Sequence, residues 1–236
     1  MNGTIQTISL FSLSIAFLPV LVVIVTQWRW SLDYRNSVYA IFRMLTQLLI
    51  IGYFLVYIFK SDNANIVAAV LVMMVFVSSW IALRTISEHR KKLYTKALIS
   101  IGLGGGIILF IITEGVLQLK PWYLANYMIP LAGMIFANAM NSVSLSAERF
   151  SSEIKENKSY RESRNIAFNA SLIPNINTLF AVGIVSLPGM MTGQILSGVD
   201  PLIAVRYQIM VMCMIFGSAG ISTAIFLSLI KKDMAI

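Results

Sequence analysis

The chain has 236 residues, of which 58% are hydrophobic and only 12% are charged, and its mean hydropathy is +0.79. This composition excludes a soluble globular domain and predicts an integral membrane protein. The net charge of +8 does not indicate nucleic-acid binding, because the basic residues are divided among short connections without aromatic residues arranged to stack on bases. The single cysteine, Cys213, excludes a disulfide framework and a cysteine-based zinc site.

Seven stretches are long and apolar enough to cross a hydrocarbon core of about 30 Å. In chain order they are residues 5–28, 37–58, 65–86, 97–118, 122–143, 176–195 and 202–230. The first has no basic leader and no small-residue cleavage pattern, so we expect it to remain as a span. The sequence therefore predicts an all-α bundle of seven transmembrane helices that forms a single domain over residues 1–236.

The distribution of positive charge predicts how the bundle is oriented. Most of the 18 basic residues lie in the connections after the first, third and fifth spans or in the C-terminal tail. The positive-inside rule then places the C-terminus in the cytoplasm and the N-terminus outside. We expect the chain to be a multi-pass protein in contact with the lipid of the inner (plasma) membrane.

The fourth predicted span contains the segment GLGGG, residues 102–106. In an apolar span this segment predicts close packing of helices and not a phosphate-binding loop. The sequence has no G-x-x-x-x-G-K-[ST] motif, so we expect no nucleotide hydrolysis and no directly bound cofactor. The only histidine, His89, lies in the basic segment SEHRKK, which also disfavours an enzyme.

Polar residues inside the spans are candidates for a substrate pathway, because such residues are costly in lipid and usually face a cavity or a partner. Glu114 in the fourth span and Arg206 in the seventh share a predicted membrane level. The structural alternative is an ion pair of Arg206 with Glu114 or with Asp200. Asn138 and Asn141, one turn apart in the fifth span, either line the pathway or hydrogen-bond between helices.

One connection is long and polar: SAERFSSEIKENKSYRESRNIAFNASLIPN, residues 146–175. It predicts one or two amphipathic helices that end before Pro174, because the residue before a proline disfavours helix. Two interpretations stay open: a solvated helix on the inner membrane face, or a docking element for a cytoplasmic partner. The candidate docking residues are Arg149, Phe150, Ile154, Glu156, Tyr160 and Glu162.

Residues 186–198, SLPGMMTGQILSG, interrupt the sixth predicted span. Pro188 cannot donate to the carbonyl of Ile184, and Gly189 and Gly193 form a G-x-x-x-G face. The alternatives are a kinked helix packed at a dimer interface and a broken span that lines a pathway.

The broken-span interpretation adds Pro188, Met190, Met191 and Gln194 to the candidate pathway residues. Met190 and Gln194 are one turn apart and are predicted to face the same cavity as Glu114. Thioethers suit soft metals, but methionine also fills irregular apolar gaps, so packing is the favoured interpretation of the 13 methionines. Whether the chain binds a metal is left open.

Two segments resemble the FetB-type permease family of ABC transporters, which is associated with iron export in bacteria and with a related aluminium-tolerance permease in plants. They are KPWYLANYMIPLAGMIFANAMNSVSLSAERF, residues 120–150, and VGIVSLPGMMTGQILSGVDPLIAVRYQIMVM, residues 182–212. The resemblance extends over most of the chain, more weakly in the first three spans.

This resemblance implies a permease that is driven by a separate cytoplasmic ATP-binding-cassette ATPase, with two copies of each subunit. ATP would then act only through the partner, and residues 146–175 would form the coupling surface. The implied cargo is iron or another metal cation, moved outward. A stand-alone secondary transporter and a seven-helix receptor are the alternatives, although the last span lacks the lysine that a retinal Schiff base needs.

Overall fold

The structure, a computed structural model, describes residues 8–60 and 63–233. Its α-helices are α1 (Leu10–Ile15), α2 (Leu18–Arg29), α3 (Tyr34–Lys60), α4 (Ala64–Ala82), α5 (Arg90–Phe110), α6 (Ala125–Lys155), α7 (Tyr160–Ala181), α8 (Gly189–Leu196) and α9 (Pro201–Leu229). A 3₁₀ helix (Arg84–His89) precedes α5, a π-helical segment (Ile111–Val116) follows it, and a 3₁₀ turn (Ile230–Asp233) follows α9. The chain forms two compact units, residues 1–61 with 196–198 and residues 62–195 with 199–236.

The first unit contains α1, α2 and α3. The hydroxyl of Ser9 accepts the N–H of Ser12 and begins α1, which ends after one and a half turns. Pro19 lies in the first turn of α2, where its missing N–H costs least. The first predicted span is therefore two short helices in succession, and its residues 5–7 lie outside the described part of the chain.

The second unit is built around α6, which packs against α4, α5, α7 and α9. Small residues with no exposed surface lie in these helices, including Ala97, Ser100, Ala139, Ser218 and Ala219. Small side chains let helix backbones approach closely, which replaces the hydrophobic driving force that lipid does not supply. The exposed residues of the same helices include many large apolar side chains, such as Val72, Leu103 and Ile209, as a lipid-facing surface requires.

The GLGGG segment of α5 confirms the prediction of close packing. A Cβ atom on Gly104 would lie 2.9 Å from the backbone nitrogen of Ser222 in α9. A Cβ atom on Gly105 would lie 2.7 Å from the ring of Phe136 in α6. These two glycines therefore set how closely α5 approaches α9 and α6, whereas Gly106 has open space beside it.

Within the described residues, six helical segments are long and apolar enough to cross a membrane: Leu10–Arg29, Tyr34–Phe59, Ala64–Ala82, Arg90–Val116, Ala125–Lys155 and Pro201–Leu229. The prediction of an all-α membrane protein is confirmed, but the count of seven spans is not. Residues 176–195, the sixth predicted span, are divided among the end of α7, a turn and α8. The orientation of the termini stays a prediction.

Helix α6 continues well past the predicted end of its span at residue 143. Its 31 residues extend about 46 Å at 1.5 Å per residue, more than a hydrocarbon core of about 30 Å requires. Residues 146–155 are therefore the last turns of α6 and not part of a separate loop helix. The chain reverses at residues 156–159 and returns as α7, which packs along α6.

The prediction that the helix ends before Pro174 is wrong, because α7 runs through this proline to Ala181. A proline inside a helix costs about 3 kcal/mol, so tertiary contacts must offset this cost. Ser171 and Leu172 are buried just before Pro174, and the Asn175 amide donates to the Ser142 hydroxyl of α6 at 3.2 Å. Burial before the proline and the hydrogen bond to α6 after it thus hold the helix together on both sides of Pro174.

Candidate functional site: a cavity beside a broken helix

The break in the sixth predicted span is a tight turn that follows α7. The carbonyl of Ala181 accepts the N–H of Val185 at 2.8 Å and of Ser186 at 3.1 Å, and Gly183 adopts a φ of +86°. Ile184 is thus part of a turn and not of a continuous helix, so Pro188 does not interrupt a helix at this point. Pro188 instead lies directly before α8, and its carbonyl accepts the N–H of Thr192 at 3.0 Å.

A cavity of about 520 Å³ lies between α6, α8 and α9 of the second unit. Met190 and Gln194 of α8 line it together, so their predicted sharing of one cavity is what the structure shows. Five residues of α6 form one wall, from Asn126 to Met134, and Tyr207 and Met210 of α9 form another. The short helix after the break therefore presents Met190 and Gln194 to the two longest helices of the unit.

The cavity wall combines three kinds of side chain. Three methionines reach it from three different helices: Met134, Met190 and Met210. Two phenols and two amides supply its polar groups: Tyr127, Tyr207, Asn126 and Gln194. The remaining lining residues are apolar: Leu117, Pro130, Leu131 and Val199.

One buried hydrogen-bond acceptor on this wall has no partner among the described residues, and a proline in α6 removes one helical donor nearby. The Oε1 atom of Gln194 is buried, and no group in the described chain donates to it. Pro130 lies inside α6 and cannot donate the helical hydrogen bond to the carbonyl of Asn126. Buried polar groups are nearly always hydrogen-bonded, so the Oε1 atom of Gln194 indicates a place for a donor from water or a ligand.

Glu114 does not line this cavity, so the prediction that it shares one with Met190 and Gln194 is wrong. It is exposed, in the π-helical segment, and lines a separate depression of about 450 Å³ with Thr113, Trp122 and other residues. The reason lies in the π-helical segment, whose wider turns change the direction in which residues after Phe110 point.

The other predicted pathway residues lie outside the cavity wall. The Asn138 amide donates to the carbonyl of Met134 at 2.8 Å, Asn141 is exposed, and Met191 is half-buried. Arg206 is exposed, and within the described residues no ion pair joins it to Glu114 or Asp200. The Asp200 carboxylate instead accepts the N–H of Leu202 at 2.8 Å and caps α9.

At the opposite end of α6, the turn into α7 contains a buried carboxylate that the sequence analysis did not single out. Glu153 has no exposed surface, and its carboxylate pairs with Arg149, at 2.5 Å, and with Lys158. Lys158 also contacts Glu156 at 3.0 Å. Donation to Glu153 and then to Glu156 raises the pKa of Lys158 above its ordinary value.

Two of the predicted docking residues are part of the packing of the unit itself. Phe150 is 1% exposed and its ring meets that of Tyr160 edge to face, with centroids 5.9 Å apart. The Tyr160 hydroxyl donates to the carbonyl of Leu227 at 2.8 Å, which ties α7 to α9. These two residues are therefore engaged inside the unit, whereas Glu156 and Glu162 are exposed and Ile154 is half-buried.

Glu162 also has a structural role, because it forms a capping box with Ser159 at the start of α7. The Ser159 hydroxyl donates to the Glu162 carboxylate at 2.7 Å, and the Ser159 N–H donates to it at 3.1 Å. These hydrogen bonds hold the pKa of Glu162 below its ordinary value. The box fixes the first turn of the helix that returns along α6.

The described residues contain no group of three or more histidine, cysteine, aspartate or glutamate side chains that could hold a metal ion.

The polar lining of the cavity on α6 and α9 was not predicted from the sequence, although Pro130 gave a signal. A proline inside a predicted span frees a backbone carbonyl, and that is tolerated where a cavity or a neighbouring helix meets it. Asn126, Pro130 and Met134 recur at every fourth position and so lie on one face.

Known proteins similar to this chain support the assignment of a membrane protein. The model of an uncharacterised protein family, UPF0014, matches residues 10–164 and 158–235. The UPF0014 membrane protein slr1647 of Synechocystis is 38% identical over 77% of this chain and 76% of its own length. The protein named "Probable iron export permease protein FetB" of Escherichia coli is 33% identical over 91% of this chain and 87% of its own.

A plant protein is also similar to this chain. "Protein ALUMINUM SENSITIVE 3" of Arabidopsis thaliana is 30% identical over 88% of this chain and 81% of its own length. No solved structure matches this chain.

Proposed function

We propose, because the chain belongs to the UPF0014 family of membrane permeases, that it is the membrane subunit of an ATP-driven exporter of iron or another metal cation. The similarity to a protein named as a probable iron export permease covers 91% of this chain, so it includes both the cavity and the α6–α7 hairpin. Family likeness by itself identifies no cargo, and the proposal therefore also depends on the site.

The observation that carries the proposal is the cavity beside the broken helix. Interrupted helices in transporters present backbone and polar side chains to a substrate in the middle of a membrane. Here α8 follows such an interruption, and Met190 and Gln194 on it face a cavity of about 520 Å³. A break in a membrane helix costs helical hydrogen bonds. A bundle that served only as an anchor would gain nothing from such a break.

The proposed source of energy is a separate ATP-binding-cassette subunit. The chain has no G-x-x-x-x-G-K-[ST] motif of its own. We place the coupling surface at the exposed turn between α6 and α7, in the cytoplasm, with Arg149, Ile154, Glu156 and Glu162 around it. Two copies of the chain with two ATPases would complete the exporter in the inner (plasma) membrane, and Arg206, Asn138 and Asn141 would lie along its pathway.

The test is reconstitution of the purified chain into liposomes, alone and with its candidate ATPase, followed by measurement of iron flux with and without ATP. We expect flux only when both subunits and ATP are present. Flux from the chain alone would establish a stand-alone secondary transporter and overturn the proposal. The absence of flux under all conditions, with the two subunits assembled, would favour a receptor.

We also propose a role for Glu114, which would act from the separate depression that it lines and not from the cavity. Changing Glu114 to Gln removes the charge and keeps the shape of the side chain. If the carboxylate attracts cations near an outer exit, this variant lowers metal flux in the full transporter while the chain still folds. Unchanged flux would remove Glu114 from the pathway without affecting the cavity between α6, α8 and α9.

A further inference from the structure

The cavity between α6, α8 and α9 has a wall without formal charge. None of its 11 lining residues is an aspartate, glutamate, histidine, cysteine, lysine or arginine. Asp200 follows the lining residue Val199, but its carboxylate is occupied by the N–H groups of Leu202 and Ile203. Arg206, next to Tyr207 in the chain, is positively charged and therefore cannot neutralise a metal ion. A metal ion that enters this cavity without its own anions would lose its hydration and find no countercharge.

The donors of the wall also fit poorly with a hard cation. Iron(III) and similar ions prefer anionic oxygen ligands, whereas this wall offers thioethers, neutral amides and phenols. Metal ions bound by protein lie about 2.0–2.6 Å from their ligands. A space of about 520 Å³ is much larger than such a coordination sphere, and it falls within the range of about 300–1,000 Å³ that is typical of sites for organic molecules.

The same wall matches a ligand with an apolar body and a few polar groups. Tyr127 and Tyr207 offer aromatic surface, and Met134, Met190 and Met210 offer flexible thioethers that adapt to irregular shapes. The unpartnered Oε1 atom of Gln194 is a buried acceptor that one donor group of such a ligand would satisfy.

We infer that this cavity binds a metal only as an uncharged organic complex, in which the metal's own ligands supply the neutralising charge and the protein contacts the organic surface. The inference rests on the proposed function for the identity of the cargo. It can be tested separately from that function, because binding to the cavity needs neither ATP nor a partner subunit.

The experiment is equilibrium binding to the full chain in lipid nanodiscs, with empty nanodiscs as the background for partition into lipid. The probes are radiolabelled iron(III) tris(acetohydroxamate), which is neutral and carries N–H donors, iron(III) citrate, which is anionic, and free iron(II) under anaerobic conditions. We expect saturable binding of the neutral complex, at least about tenfold tighter than that of either charged form. Tighter or equal binding of free iron(II) or of citrate, or no saturable binding of any probe, would overturn the inference.

Two variants assign the binding to this cavity. Gln194→Leu keeps the size of the side chain and removes the acceptor, and we expect it to weaken binding of the neutral complex about fivefold, as the loss of one hydrogen bond does. Tyr127→Leu removes aromatic surface from the α6 wall and should also weaken binding, which provides a second reading if the first variant folds poorly. The matched control Met73→Leu changes an exposed methionine of α4 outside the cavity and should leave binding unchanged.

The failure of this inference and the failure of the proposed function have different outcomes. If the neutral complex binds but ATP and the ATPase drive no flux, the inference stands and the proposed exporter fails. If ATP drives flux of iron while the cavity variants bind and transport like the unchanged chain, the exporter stands and the inference fails.

Discussion

Gly104 is a residue at which one added methyl group changes the packing of a helix pair. Its Cβ position is 2.9 Å from the backbone of Ser222 in α9, and backbone cannot move aside as the end of a side chain can. We expect Gly104→Ala to destabilise the second unit by about 1–3 kcal/mol, the usual cost of overpacking. Thermal unfolding of the purified protein in detergent measures this loss.

Gly106 provides the matched control for that substitution. It lies two residues away in the same helix, with no atom within 4 Å of its Cβ position. Gly106→Ala should leave stability unchanged or raise it by up to about 1 kcal/mol, because alanine favours helix more than glycine does. Equal melting temperatures for the two variants would show that α5 and α9 are not in the close contact described above.

The turn between α6 and α7 depends on individual charges, and its buried carboxylate shows what a sequence pattern cannot reveal. Residues 146–162 contain several acidic residues with similar neighbours, yet only Glu153 among them is fully buried. Helical spacing predicts which residues share a face, but not which face another helix covers. The pairing of Glu153 with Lys158 also crosses the helix end, where spacing rules no longer apply.

At the scale of the element, the start of α7 is expected to respond to acid. Hydrogen bonds from Ser159 lower the pKa of Glu162 in the folded protein, so the ionised carboxylate contributes stability above its unfolded pKa of about 4.3. This contribution is lost as the pH falls through the lower pKa of the folded state. Melting temperatures of the unchanged chain and of Glu162→Gln should therefore differ at pH 7 and converge at lower pH.

The capping residue itself gives an independent check of the same turn. Ser159→Ala removes the hydroxyl that contacts the Glu162 carboxylate and should cost about 1 kcal/mol at neutral pH, as lost helix caps do. Exposed Ser228 near the end of α9 is a control, since its hydroxyl only donates to the carbonyl of Ala224 in its own helix. A Ser159→Ala variant as stable as Ser228→Ala would contradict the capping box.

The helices themselves were largely predictable, and their ends were not. Runs of apolar residues placed six of the seven predicted spans on helices that could cross a membrane, and the first of the seven contains a break near Pro19. The polar continuation of α6 and the passage of α7 through Pro174 depend on contacts between the two helices, such as Asn175 with Ser142. Such contacts are distant in sequence, so local propensity misplaces both boundaries.

At the scale of the whole molecule, the sequence predicted only the α8 side of the cavity. The spacing of Met190 and Gln194 places them on one face of α8, and the glycine and proline residues around them mark the broken span. Which residues of α6 and α9 meet that face depends on the register between packed helices. Glu114 shows the consequence, because it has the expected polarity and yet lines another depression.

The proposed coupling of the chain to an ATPase gives the last prediction, and the structure selects the variant that tests it. Glu162 is unsuitable because its capping box also stabilises α7, and Phe150 and Tyr160 are packed within the unit. Glu156 has a side chain that is 60% exposed, and its loss leaves Lys158 paired with Glu153. Charge reversal in Glu156→Lys should therefore keep the fold while it weakens association with the ATPase by about tenfold.

Stimulation of ATP hydrolysis in the reconstituted complex measures this effect, together with co-purification of the two subunits. The control is Lys120→Glu, a reversal at an exposed residue on the predicted outer side, where no cytoplasmic partner can reach. We expect Glu156→Lys to lose stimulation and the defect to lessen in Glu156→Gln, because neutralisation removes an attraction without adding a repulsion. A Glu156→Lys complex that assembles and hydrolyses ATP normally would move the coupling surface away from the α6–α7 turn.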